Sequence, residues 1–172
     1  MISFFKHLYQ FCSTGMIELR AISNEGQVWR EYISLDNLDK IISFCQKHMS
    51  KNLYYGTALR NGGGTKNHIT EIPCVWCDVD FKDTPKEDLR QRVKGLPLKP
   101  TIYVRTGGGV HLYWIFNEPL AKGDIRVLED INRRVAFQLG GDMNACDAAR
   151  ILRIPDTVNH KYPHKPLCEV AK

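Results

Sequence analysis

An α/β or α+β fold with a mostly antiparallel sheet is the class this chain predicts. Segments whose apolar residues recur at the 3.6-residue helical period alternate with runs rich in β-branched and aromatic residues. Two of those runs, KPTIYVRT and VHLYWIF, are joined by Gly107, Gly108 and Gly109, as in a hairpin. At 172 residues, 43% of them hydrophobic, the chain is long enough for one domain with a proper core, built as two lobes.

Taken in order, residues 2–12 read as an amphipathic helix. Lys6 and His7 interrupt its apolar run, and it lacks the basic leader and small-residue cleavage site of a signal peptide. The strands MIELRAI and QVWREYI flank the turn Ser23-Asn24-Glu25-Gly26. Apolar residues at 35, 38, 41, 42, 45 and 49 mark a helix. NLYYGTAL is a strand followed by a glycine-rich basic loop, and PCVWCDVDF is another strand, followed by a polar helix from about Pro85 to Val93. After the hairpin, Ile125, Leu128, Ile131, Val135 and Leu139 define a long amphipathic helix closed by Gly140-Gly141. The remainder is aperiodic and rich in Arg, His, Lys and Pro.

The charge balance, 24 Lys+Arg against 19 Asp+Glu, permits a polyanionic partner without requiring one. No stretch reaches the ~20 apolar residues of a membrane span. The six cysteines are scattered, mostly in apolar segments. Cys74 and Cys77 form a CxxC, but on a strand they point to opposite faces and cannot share a zinc ion. Reduced core cysteines, and hence a cytoplasmic location, are the expectation.

Three stretches carry chemistry. In WCDVDF, side chains alternate, so Asp78 and Asp80 share a face with Trp76, opposite Val75, Cys77, Val79 and Phe81. The two acids lie roughly 7 Å apart at Cα on a ~3.4 Å rise. Unpaired charges in an apolar strand are costly, and one or two hard divalent cations, Mg²⁺ or Mn²⁺, would supply the missing partner. A solvated strand edge is the plain alternative. In RTGGGVHLYW, consecutive glycines let backbone N–H groups crowd an anion such as a phosphate, with His111 on the returning strand; a simple hairpin turn would look the same. In CDAARILRIPDTVNHKYPHK, Asp147 precedes Arg150, Arg153, Asn159, His160 and Lys161. Asp147 is a candidate third carboxylate, with Asp142 its rival, and the basic residues suit a triphosphate. A solvated basic tail is the alternative there, least plausible at Arg153 among the apolar residues of ILRIP.

Together and in this order, the three stretches resemble the motifs of the archaeo-eukaryotic primase superfamily, in particular its primase-polymerase branch of plasmid or CRISPR-linked type. The first motif is Asp78-Val79-Asp80, the second Thr106-Gly107-Gly108-Gly109-Val110-His111, and the third Asp147 followed by RILRIPDTVNHK. NLYYGTALR with its glycine loop is similar to the lead-in to the first motif. Asp156 stands where relatives usually carry glycine, and Asp tolerates a left-handed turn better than most residues.

The resemblance spans roughly residues 50 to 165. It implies a single catalytic domain over 1–172, with an N-terminal αβ lobe over about 1–70 packed on an RRM-like lobe over 71–172. It implies template-directed nucleotidyl transfer that primes and extends strands on single-stranded DNA from nucleoside triphosphates. Asp78, Asp80 and Asp147 would hold two Mg²⁺ or Mn²⁺ ions, with His111 beside them as a catalytic residue. Thr106, Gly107, Gly109, His111, Arg153, Asn159, His160 and Lys161 would hold the incoming nucleotide. Arg60 and Lys66 are candidates for template or initiating-nucleotide contact, and a monomer is the default.

Two other classes compete. An RRM-like module that binds single strands by stacking on aromatics has no use for Asp78 and Asp80, which would repel its ligand. A metal-dependent nuclease does not explain the triphosphate-sized basic cluster. Its His-hydrophobic-His variant needs a second histidine where Tyr113 stands.

Overall fold

The computed structural model describes residues 1–171. Among them, eight strands form two four-stranded, wholly antiparallel sheets. Helix α1 (Ile2–Leu8) precedes β1 (Met16–Ile22) and β2 (Val28–Ser34), which pair across the expected turn. The next helical segment begins as a 3₁₀ turn over Leu35–Asn37, because the Ser34 hydroxyl accepts from the Asp36 N–H, and continues as α2 (Asp39–Lys47). Strand β3 (Asn52–Gly56) stops short of the expected Leu59, since the Thr57 N–H leaves the ladder for the Arg150 carbonyl.

The second half begins with β4 (Glu71–Asp80), α3 (Lys86–Lys94), β5 (Ile102–Arg105), β6 (Gly109–Ala121) and α4 (Ile125–Leu139). This β-α-β-β-α succession is the start of a split βαβ unit. Gly140, at φ 72°, ends α4 in the left-handed conformation expected of its closing glycine pair. The last two strands then part company. β7 (Ile151–Arg153) pairs with β3, giving the first sheet the order β2-β1-β3-β7. β8 (Glu169–Val170) pairs with β5, giving the second the order β4-β6-β5-β8. The first sheet therefore draws a strand from far beyond residue 70.

Each sheet places one apolar face in the core. Ile17, Leu19 and Ala21 of β1 and Leu53 and Tyr55 of β3 are fully or almost fully buried. The Phe4, Phe5, Tyr55 and Tyr113 rings pack edge to face, joining α1 to both sheets. β4 lies at the edge of its sheet, and its outward groups are paired rather than left open. The Asn132 Oδ1 of α4 accepts from the Trp76 N–H at 3.2 Å, and the Asp142 N–H donates to the Asp78 carbonyl at 2.8 Å. That cover permits an almost continuous apolar sequence on this strand. No helix among the described residues is long and apolar enough to cross a membrane.

Candidate active site

The first two motifs meet because their strands pair. Antiparallel registry sets Asp78 opposite His111 and Asp80 opposite Gly109. Directly opposed residues share a face with Cβ atoms about 5 Å apart, so the histidine and the first acid are neighbours by construction. The His111 Nε2 lies 3.6 Å from the Asp78 Oδ1. The other ring nitrogen, Nδ1, is 3.3 Å from the Tyr113 hydroxyl, which accepts from the Tyr55 hydroxyl at 2.9 Å. In the tautomer in which Nδ1 accepts the Tyr113 proton, the imidazole's own proton sits on Nε2, facing Asp78. Burial lowers the His111 pKa, with Arg153 adding to the effect and Asp78 opposing it. The ring is therefore held toward its neutral form.

The glycine turn is shaped for close approach. A Cβ on Gly109 would lie 2.1 Å from the Val79 carbonyl oxygen, and one on Gly108 would lie 1.9 Å from the Tyr162 hydroxyl. Gly109 is thus what lets β6 begin tight against β4 beside Asp80. The third motif reaches the same place from the other sheet. The Arg153 guanidinium lies over the Tyr54 ring, 4.9 Å from its centre, and donates to the Asn52 Oδ1 at 2.8 Å. Asn159 donates to the Thr106 carbonyl at 2.7 Å and accepts from the Lys161 N–H at 3.1 Å, tying the basic tail to the glycine turn.

Between the sheets lies a cleft of about 490 Å³, within the range of small-molecule sites. Asp78, Asp80, Thr106, Gly109, His111, Arg153, Asn159 and Lys161, drawn from all three motifs, line it. Two carboxylates face three cationic side chains there, the third being Arg150.

No family model matches the chain. A curated "Replication protein" of Clostridium perfringens is 28% identical over 162 residues, covering 87% of this chain. The chain spans 38% of that relative's length. Among solved structures, the AEP domain of the cyanophage S-2L primase-polymerase superposes with a TM-score of 0.73 at 17% identity, covering 99% of this chain and 88% of that one. The primase RepB′ superposes at 0.68 with 14% identity, covering 99% of this chain and 56% of that one; its catalytic domain, in complex with initiator DNA, does so at 0.66.

The fold is that of the archaeo-eukaryotic primase catalytic domain. The resemblance read from the motifs is borne out at that level.

Within the primase fold, several expected residues stand elsewhere. Arg60 is fully buried and cannot reach a template. It pairs with the equally buried Glu18 and donates to the carbonyls of Gly64 at 2.9 Å and Ala149 at 2.7 Å. Lys66 binds Glu129 at 2.5 Å, outside the cleft. Asp147 does not join the other two acids. Its carboxylate binds Arg150 at 2.8 Å and accepts from the Ala149 N–H at 3.1 Å, and it is not part of the cleft wall. Asp142 caps the Asn144 N–H instead. Among the described residues, no three His, Cys, Asp or Glu side chains converge to hold a metal ion. Gly107 and His160 also lie off the wall; the His160 ring meets the Met49 carbonyl, and its N–H donates to the Asn52 Oδ1 at 3.1 Å. Burial pushes the Cys74 and Cys77 thiols up, which keeps them protonated and poor metal ligands. Asp156 adopts φ 62°, so the turn survives without its usual glycine.

Arg150, one of the basic residues read as suiting a triphosphate, lines the cleft; Tyr54 and Tyr162 do so without having been singled out as site residues, and buried Asn52 organises two that were. Asn52 opens the NLYYG strand, where a polar residue due for burial was the available signal.

Proposed function

We propose that the chain is the catalytic module of a primase-polymerase, a nucleotidyltransferase that starts and extends strands on a single-stranded DNA template from nucleoside triphosphates. One observation carries the reading: paired carboxylates, a neutral-leaning histidine and a cluster of cationic side chains from three separate motifs line one cleft. The C. perfringens relative, named a replication protein, and the DNA bound to the RepB′ catalytic domain point the same way.

The donor set fits a divalent cation. Asp78 and Asp80 expose carboxylate oxygens on one face; beside them stand the neutral-leaning His111, 3.6 Å from Asp78, and the exposed Lys82, 3.5 Å from Asp80. Oxygen ligands of this kind suit Mg²⁺ or Mn²⁺. Bound there, such an ion would lower the pKa of the attacking 3′-hydroxyl and offset charge on the α-phosphate and leaving pyrophosphate. Arg153 and Lys161 neutralise the β- and γ-phosphates, with Arg150 as a third cation. The His111 Nε2–H donates to a phosphate oxygen beside Asp78. Thr106 and the backbone of the glycine turn seat the triphosphate against β6. Asn52, holding both Arg153 and the His160 backbone, fixes the basic wall before a nucleotide arrives.

The test is synthesis on unprimed single-stranded DNA with labelled nucleotides and Mn²⁺ or Mg²⁺, beside Asp78→Ala and Asp80→Ala. Template-dependent products that vanish in both variants, with the fold intact, establish the reading. Extension of a supplied primer without unprimed products narrows it to a polymerase core. Silence in both assays with DNA still bound refutes it.

A further inference from the structure

The open face of the first sheet carries more positive charge than its structure uses. Antiparallel registry aligns Arg30 with Arg20, Arg20 with Tyr54, and Tyr54 with Arg153. These four side chains form one row on one face, and the last two line the cleft. Beside the row, Tyr32 stands opposite Glu18. Glu18 is fully buried and is contacted by Arg60, by Arg20 at 2.5 Å and by Arg30 at 3.4 Å. Among the described residues, those three arginines have no other ion-pair partner. One carboxylate is therefore shared by three guanidinium groups.

Arg60, buried on the carboxylate, accounts for the neutralisation of Glu18. Arg30, 51% exposed at its side chain, adds little to stability as a third partner at the surface. The surplus calls for an anion from outside. The partly buried Tyr32 and Tyr54 stand among the cationic groups, Tyr54 with the Arg153 guanidinium over its ring; aromatics interleaved with cations are the combination by which proteins hold single-stranded nucleic acid. The row spans three strand-to-strand steps, about 14 Å at ~4.8 Å each, comparable to the sheet on which RRM domains stack two or three bases.

We infer that this face is the track of the single-stranded template, its phosphates on Arg20 and Arg30 and its bases against Tyr32 and Tyr54, leading into the cleft at Arg153. The inference rests on the nucleotidyltransferase reading of that cleft and assigns the strand a surface that reaches beyond the triphosphate's, the two meeting at Tyr54 and Arg153.

Fluorescence anisotropy with labelled oligothymidylate, and with the matching RNA strand, tests it across a salt series. A fluorescent nucleoside triphosphate with Mn²⁺ reports the cleft in parallel. Arg30→Ala should lower the slope of log K against log salt by about 0.7, the value for one phosphate contact on a single strand. Tyr32→Ala should weaken strand binding about 5-fold or more. Triphosphate binding should be unchanged in both, and Arg126→Ala, exposed on α4, should change neither. Wild-type slope and affinity in Arg30→Ala would overturn the inference, as would an equal loss in Arg126→Ala. A wild type that binds triphosphate but no strand overturns it and leaves the cleft reading standing. Arg30-dependent strand binding without triphosphate binding supports the track and removes the nucleotidyltransferase reading. If RNA alone depends on Arg30, the template is RNA and the DNA assignment falls.

Discussion

Asn52 makes the most direct claim on how the site is held. Its side-chain oxygen accepts from the Arg153 guanidinium at 2.8 Å and from the His160 N–H at 3.1 Å, both more than a hundred residues away in sequence. Asn52→Ala removes, in a buried position, the one oxygen that accepts both bonds. A hydrogen bond to a charged group contributes about 1.5–3 kcal/mol and a neutral one about 0.5–1.5 kcal/mol. The variant should therefore lose about 2–4 kcal/mol. For a chain of this size each kcal/mol moves Tm by about 2–4 °C, so the shift should be about 4–16 °C. Urea denaturation with an unchanged m-value supplies the free energy, and a thermal melt checks it. Asn52→Asp keeps an acceptor for both donors and should recover most of the loss. A change under about 0.5 kcal/mol in Asn52→Ala would refute the bridging role, because neither donor could then depend on that oxygen.

Other predictions follow from the same geometry. Arg60→Ala should destabilise the fold by several kcal/mol, since it takes from the buried Glu18 its one fully buried partner and from the Gly64 and Ala149 carbonyls a donor each, whereas a template contact would leave urea stability unchanged. Gly109→Ala should loosen the β4–β6 pairing beside Asp80, because the new Cβ meets backbone rather than a flexible side chain; amide exchange at Val79 and Asp80 would report it. The lowered pKa of His111 means the unfolded chain binds a proton that the native state resists, in the window below about pH 6.5. Stability should fall as pH drops through that window, by at most about 1.4 kcal/mol per unit for one group. His111→Gln should remove part of that slope in urea titrations, the rest tracing to His48, which burial and Lys51 shift the same way.

The motifs were legible because local rules govern them. Strand alternation aligned Asp78 with Asp80, and the same parity held after pairing, when registry set Asp78 against His111. The amphipathic helix over 125–139 followed from period alone and ends at its glycine. What the sequence hid was long-range. Arg60 reads as a basic loop residue because its partner, Glu18, lies 42 positions earlier. Asp147 reads as a third acid because nothing in CDAAR says that Arg150, three residues on, will claim it. The three-residue β7 carries no period to detect, and only its pairing with β3 shows that ILR belongs to the first sheet.

That short strand also has a mechanical consequence. The chain passes from the first sheet to the second after β3, returns at β7, and leaves again before β8. Domains that open like jaws usually swing about a few connecting residues. Here three separate tethers would have to bend together, and the aromatic contacts among Phe4, Tyr55 and Tyr113 would have to part. The gap between the two sheets is therefore pre-set rather than closed by its cargo.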